Sequence, residues 1–117
     1  MSKSNVLNCD KPKDGVAIGS WPIEYWNPKG ELEMSFFSEN EYYLISANSL
    51  ISDELDNLFF AGKNISASEE GIASARVIGT CIQTGYAAGK LASAFSDLES
   101  KIISELRNEL KIGDEHI

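Results

Sequence analysis

The chain has 117 residues, 43% of them hydrophobic, and a formal net charge of -8 from ten basic and eighteen acidic side chains. That length suits one domain or a piece of a larger one, and the apolar share is enough for a packed core. The negative charge repels phosphate backbones and anionic lipid surfaces, so neither nucleic acid nor membrane is an expected partner.

No apolar run approaches the roughly 20 residues needed to span a bilayer. The opening MSKSNVLNCDKPKD lacks the apolar centre of a secretory signal. Cys9 and Cys81 lie far apart, and the one histidine, His116, sits near the C-terminus. This is neither a metal-ligand set nor a disulfide framework. Two reduced thiols in a cytoplasmic protein are expected. Asn64-Ile65-Ser66 fits the glycosylation sequon, which without a signal reads as a chance match.

In chain order, residues 1–13 are polar and charged and read as a flexible N-terminus. Segment 14–51 is rich in β-formers. DGVAIGSWPIEYW is interrupted by Pro22, which suggests two short extended pieces, 15–20 and 22–26. Asn27-Pro28-Lys29-Gly30 reads as a turn, because Pro28 presets φ and Gly30 tolerates a positive one. A strand from Glu31 to Phe37 then folds back as a hairpin. Leu32, Met34 and Phe36 alternate with Glu31, Glu33 and Ser35, giving one apolar and one wet face. Residues 41–51 suggest a further extended piece followed by a short turn.

Segment 52–117 begins with the polar loop SDELDN. Leu58-Phe59-Phe60-Ala61 does not alternate, and continuous apolar runs belong to parallel strands covered on both faces. The run stops at Gly62. A long polar connection, 63–78, follows, and loops of that length are usually functional or disordered. Residues 79–95 read as a helix with Cys81, Gly85, Ala88 and Ala92 on one stripe. Gly85 and Gly89 each cost about 1 kcal/mol there relative to Ala, which suggests close approach of a backbone or a ligand. Ser96-Asp97-Leu98-Glu99 fits a capping box for a last helix reaching Lys111. Leu98, Ile102, Leu106 and Leu110 form its apolar stripe, with Ile103 beside them.

The chemistry-bearing pattern is a strand, a glycine, a polar loop and a helix start near Gly79. A helix start leaves backbone N–H groups unpaired and carries about half a positive charge, which suits an anion or a polarised carbonyl. Arg76 adds a positive charge just upstream. A plain strand-to-helix crossover with a solvated loop accounts for the same pattern equally well. Three other readings are weaker. Gly62-Lys63-Asn64 resembles the end of a phosphate-binding loop, but Asn57 replaces its first glycine and Asn64 its Ser or Thr. Glu69-Glu70 has the makings of an acid/base pair but suits a solvated surface better. Ser66 and Ser68 lack a nearby histidine to activate them.

DNLFFAGKNIS followed by ASARVIGTCIQTGYAAGKLA resembles the C-terminal end of the FAD-dependent oxidoreductase family, the large two-domain flavoproteins. In that family a strand ending in Ala-Gly-Arg or Ala-Gly-Lys leads to Ile-Ser, a loop, Arg-Val, a Thr-Cys helix start and Ala-Ala-Gly. DGVAIGSWPIEYWNP and YYLISANSLISDELDN resemble its upstream segments, so the likeness runs from about residue 14 to the end.

The resemblance implies an α+β fragment: an antiparallel hairpin region, one strand of an otherwise absent parallel FAD-domain sheet, and two C-terminal helices. It implies that Gly62 closes the last strand beside FAD, and that Lys63, Asn64, Ile65 and Ser66 line the passage to the flavin. Arg76 and Val77 would sit near the ring. Amides of Gly79, Thr80 and Cys81 would point at its pyrimidine edge, raising its potential by stabilising charge gained on reduction.

There are departures. The family often has a histidine where Glu69 stands, another near Glu24-Tyr25-Trp26, and a proline where Gly79 stands, so no catalytic acid is assigned. The GxGxxG strand that holds the FAD pyrophosphate is absent. The implied partner is that missing N-terminal portion, on the same or a companion chain, and the isolated chain is expected to be inactive. A small interaction or assembly protein without catalysis is the alternative.

Overall fold

A computed structural model describes residues 1–93 and 99–111. The fold is α+β, with two separate antiparallel strand pairs and four helices among those residues. Strand β1 (Gly15–Gly19) pairs with β4 (Tyr43–Ser46), and β2 (Ile23–Trp26) pairs with β3 (Leu32–Ser35). The hairpin turn forms where Asn27-Pro28-Lys29-Gly30 predicts it. Gly30 adopts φ +79°, and the Asn27 Oδ1 accepts the N–H groups of Lys29 and Glu31, each at 3.0 Å.

The β1–β4 pair is the centre of the core. Val16, Ala17, Tyr43, Ile45 and, beyond the strands, Leu50 are all buried to within 1%. Burial of each large apolar side chain is worth roughly 1.5–3 kcal/mol. The two chains of the pair pack so closely that a Cβ at Gly19 would run into the Tyr43 ring. Tyr43 keeps its phenol satisfied in this dry setting through Ser74 Oγ at 2.6 Å, and Ser74 in turn donates to the Trp21 carbonyl at 2.6 Å.

Helix α1 (Lys3–Leu7) corrects the expectation of a loose N-terminus. Ser2 caps it, Val6 is fully buried, and the Met1 carbonyl accepts the Ser68 N–H at 2.9 Å. Helix α2 (Glu69–Ala75) likewise replaces part of the long connection predicted over 63–78. Ser68 Oγ accepts the Gly71 N–H at 3.1 Å, and Glu69 and Glu70 sit in the first turn, where the helix dipole favours acids. Its buried face is made of small residues, Gly71, Ala73, Ser74 and Ala75.

Helix α3 (Ile78–Ser93) matches its predicted start within a residue; the predicted end at Phe95 lies outside the described residues. The stripe it buries is different. Thr80, Thr84, Ala87, Ala88 and Leu91 face the core, while Gly85 and Ala92 are exposed and Cys81 only half-buried. No described residue lies within 4 Å of a Cβ built on Gly85 or Gly89, so no close neighbour among them accounts for these glycines. Helix α4 (Glu99–Glu109) buries Leu106 and half-buries Ile102 and Ile103, and Leu110 just after it is half-buried too, as the stripe predicts; Leu98 lies outside the described residues. The capping box around Ser96 lies outside the described residues.

The run 58–61 lies outside both strand pairs. A single antiparallel bridge, Ile51 to Phe59, holds it, with Ser52 donating to Leu58 and Phe60 to Leu50. No parallel neighbour pairs with it among the described residues, and Leu58 is exposed. The apolar face of β3 is also uncovered: Leu32, Met34 and Phe36 are 46%, 38% and 70% exposed.

Candidate functional site

Gly62 ends the extended run because the backbone turns left-handed there, at φ +61°, a conformation a side chain strains. A Cβ at this position would meet only Cys81 Sγ, at 3.8 Å, so conformation rather than space selects glycine. Residues Gly62–Asn64 then make one short 3-10 turn.

That turn docks on the first turns of α3. The Gly62 N–H donates to Thr84 Oγ1 at 2.9 Å, and Thr84 Oγ1 donates to the Cys81 carbonyl at 3.1 Å. The structure thus brings the predicted glycine, Gly62, beside the predicted helix start. Thr84 is the link, and the sequence reading passed over it. Its spacing of four from Thr80 was the available signal, obscured by assigning the buried stripe to Cys81 and Gly85.

The other predicted residues divide by burial. Lys63 and Asn64 are exposed, and Lys63 makes no ion pair with a described residue. Ile65, 6% exposed, belongs to the core, and so does the Thr80 side chain at 4%. Only their backbones can face a ligand. Ser66 is exposed; its N–H donates to the Ser49 carbonyl at 2.8 Å and its carbonyl accepts the Met1 ammonium at 3.0 Å.

Arg76 caps the end of α2 and turns its guanidinium to β2. It donates to the Glu24 carbonyl at 3.3 Å and lies 3.8 Å from the Glu24 carboxylate. Glu24 also accepts the Trp21 indole N–H at 3.0 Å. The positive charge beside α3 is therefore shared with Glu24 rather than free. Glu69 accepts the Tyr25 hydroxyl at 3.1 Å, a contact that raises the Tyr25 pKa. This tie and its place in the first turn of α2 favour a structural role for Glu69. Val77 is half-buried between the two helices.

The amides at the start of α3 differ in whether they are already bonded within the chain. Cys81 N–H is already committed to the Val77 carbonyl at 2.9 Å, so it is not available. The amides of Ile78, Gly79 and Thr80 have no acceptor among the described residues. Gly79 is exposed, with nothing within 4 Å of a built Cβ. Cys81 Sγ is turned back toward the Arg76 carbonyl at 3.3 Å.

For the FAD that the sequence resemblance implies, these residues would serve one end only. Three unpaired amides with open space over Gly79 suit the acceptor-rich edge of a flat ring. They do not supply a cradle for its pyrophosphate, which needs a glycine-rich strand-to-helix turn that this sequence lacks. Among the described residues no cluster of His, Cys, Asp or Glu could hold a metal ion, and both cysteines are free. No helix in the described residues is long and apolar enough to cross a membrane.

Comparison with curated proteins finds no match, and comparison with solved structures finds none either. The family model described as FAD dependent oxidoreductase matches residues 1–110, which takes in both strand pairs, the Gly62 turn and the start of α3. With nearly its whole length matched, the chain belongs to the FAD-dependent oxidoreductase family.

Proposed function

We propose that this chain is the C-terminal portion of an FAD-dependent oxidoreductase and forms the flavin-side wall of its cofactor pocket. The observation that carries the reading is the docking of Gly62 on Thr84, beside three unpaired amides with open space over Gly79. FAD, when bound, supplies the redox chemistry. The chain's own residues hold and orient it. Ile78, Gly79 and Thr80 offer N–H groups and the positive end of α3. Gly62, Lys63, Asn64, Ile65 and Ser66 shape the approach, with Ile65 contributing backbone only. Arg76 and Val77 connect α2 to α3 near the ring, and Arg76 offers its charge to the ring only as far as Glu24 releases it. Cys81 contributes through packing against Gly62.

The pyrophosphate site comes from a partner segment bearing GxGxxG, on the same or a companion chain. A cytoplasmic setting keeps the two free thiols reduced. The isolated chain therefore binds FAD weakly or not at all, and co-expression with a companion bearing the glycine-rich unit yields a complex with flavin absorbance. Stoichiometric FAD on the purified chain alone would contradict the division of the site. In such a complex, Gly79→Val is expected to lower flavin occupancy; unchanged occupancy would remove the start of α3 from the site.

One observation favours a second reading, a non-catalytic interaction protein. The β2–β3 hairpin exposes Trp26, Leu32, Met34 and Phe36 together. Failure to acquire flavin with any GxGxxG companion, alongside stable association with another protein, would favour it.

A further inference from the structure

The two strand pairs differ at their edges. In an antiparallel pair, residues alternate between those whose N–H and C=O face the partner strand and those whose groups face away. Ile18 of β1 faces away from β4, and the Gln83 carboxamide takes both its groups. Oε1 accepts the Ile18 N–H at 2.9 Å, and Nε2 donates to its carbonyl at 3.1 Å. Arg107 donates to the Gly15 carbonyl at 3.0 Å. On the other side, the Asp10 carbonyl accepts the Leu44 N–H at 2.9 Å, and Lys11 donates to the Tyr42 carbonyl at 3.0 Å. On β2, Arg76 takes the outward carbonyl of Glu24.

Strand β3 has no such cover. Glu24 stands opposite Met34 and Trp26 opposite Leu32. Since the Glu24 carbonyl faces away from the hairpin, the groups of Met34 and Leu32 face away too, on the far side. No described residue bonds them. An uncovered edge is a template for another strand, and proteins ordinarily block it.

We infer that the β3 edge is a self-association surface, on which a second copy adds its own β3 antiparallel about a twofold axis at Met34. The residues along the edge select a second copy as the occupant. Centred on Met34, the sequence Leu32-Glu33-Met34-Ser35-Phe36 sets Leu32 against Phe36 of the copy, Met34 against Met34, and Glu33 against Ser35. Apolar side chains meet apolar ones, and the carboxylates do not face each other. The alternation also places outward-facing residues opposite outward-facing residues, so each pair can exchange both main-chain hydrogen bonds. Centring on Glu33 would oppose two carboxylates and turn the wrong backbone groups to the seam. Such an interface is isologous, and it converts two lone hairpins, each marginal by itself, into a four-stranded sheet. This inference does not depend on the flavin reading.

Sedimentation equilibrium of the purified chain, without FAD, is expected to show a dimer of the 12.8 kDa protomer. Met34→Lys puts two ammonium groups across the twofold axis and should weaken the dimer at least about tenfold while leaving the protomer folded. Met34→Pro removes an outward N–H that the hairpin does not use and should act in the same direction. Met34→Cys should crosslink to itself under mild oxidation, because hydrogen-bonded antiparallel partners stand about 5.5 Å apart at Cα, within disulfide reach. A wild-type chain that stays monomeric across the concentration range overturns the proposal. So does a dimer indifferent to Met34→Lys that Met34→Cys does not capture, or association only with a different chain.

Discussion

The β1–β4 pair and the β2–β3 hairpin are both two-stranded and antiparallel, yet one is the core and the other is mostly surface. The difference does not lie in apolar content. Leu32, Met34 and Phe36 alternate as cleanly as any strand in the chain. It lies in what covers them. Helices α3 and α4 pack on β1, and the segment around Asp10 closes β4. Helix α2 packs only on the inner side of β2, where Ile23 is 1% exposed and Tyr25 meets Glu69. The outer face, with Trp26, has no layer among the described residues. An alternating pattern states that a strand has an apolar face; it does not supply the layer that buries it.

The comparison can be broken by substitutions matched across the two pairs. Ile45→Ala in β4 should have the largest effect, roughly 4 kcal/mol, because it removes a fully buried side chain and leaves a cavity. Urea unfolding measures it, and a cost no greater than that of a hairpin substitution would erase the distinction. Gly19→Val should follow, at about 3 kcal/mol, because the Tyr43 ring occupies the space a side chain needs.

Tyr43→Phe should cost about 1 kcal/mol by removing the hydrogen bond to Ser74. The same position sharpens the comparison through pH. Burial raises the Tyr43 pKa above its ordinary 10.0. Its contribution is fully present below the unfolded value and is lost as pH rises through the folded one, because the unfolded chain releases the proton first. Stability of the wild type should therefore fall in alkaline solution, and Tyr43→Phe should fall less steeply over the same range. Equal slopes would show that the phenol is not held as dry as its packing implies. The smallest effect belongs to the hairpin. Trp26→Ala should change protomer stability by no more than about 0.5 kcal/mol, since its side chain is already 60% exposed.

Much of this arrangement was legible. The Asn27–Gly30 turn follows from its own residues, as do the strands on either side and the amphipathic α4. Helix α2 was missed because its sequence, EEGIASA, buries small residues and shows no large apolar stripe. Helix α1 was missed because Val6 and Leu7 are its only apolar residues and it is held by contacts distant in the chain. For the candidate site, Gly62 and the start of α3 were legible as a glycine stop and a helix start. Their meeting through Thr84 was not, because twenty-two positions separate the two partners in sequence.

The sequence by itself determined the local conformations: where the chain turns, where glycine must take a positive φ, and where a helix begins with unpaired amides. It also carried the family, through the spacing of AGKNIS and the Arg-Val and Thr-Cys pairs. Only the tertiary structure decided which faces are covered, that Arg76 spends its charge on Glu24, that the Cys81 amide is already bonded, and that one strand edge is left open. Turns and helix starts depend on neighbours within a few residues. Burial, ion pairing and edge closure depend on what the rest of the chain brings alongside.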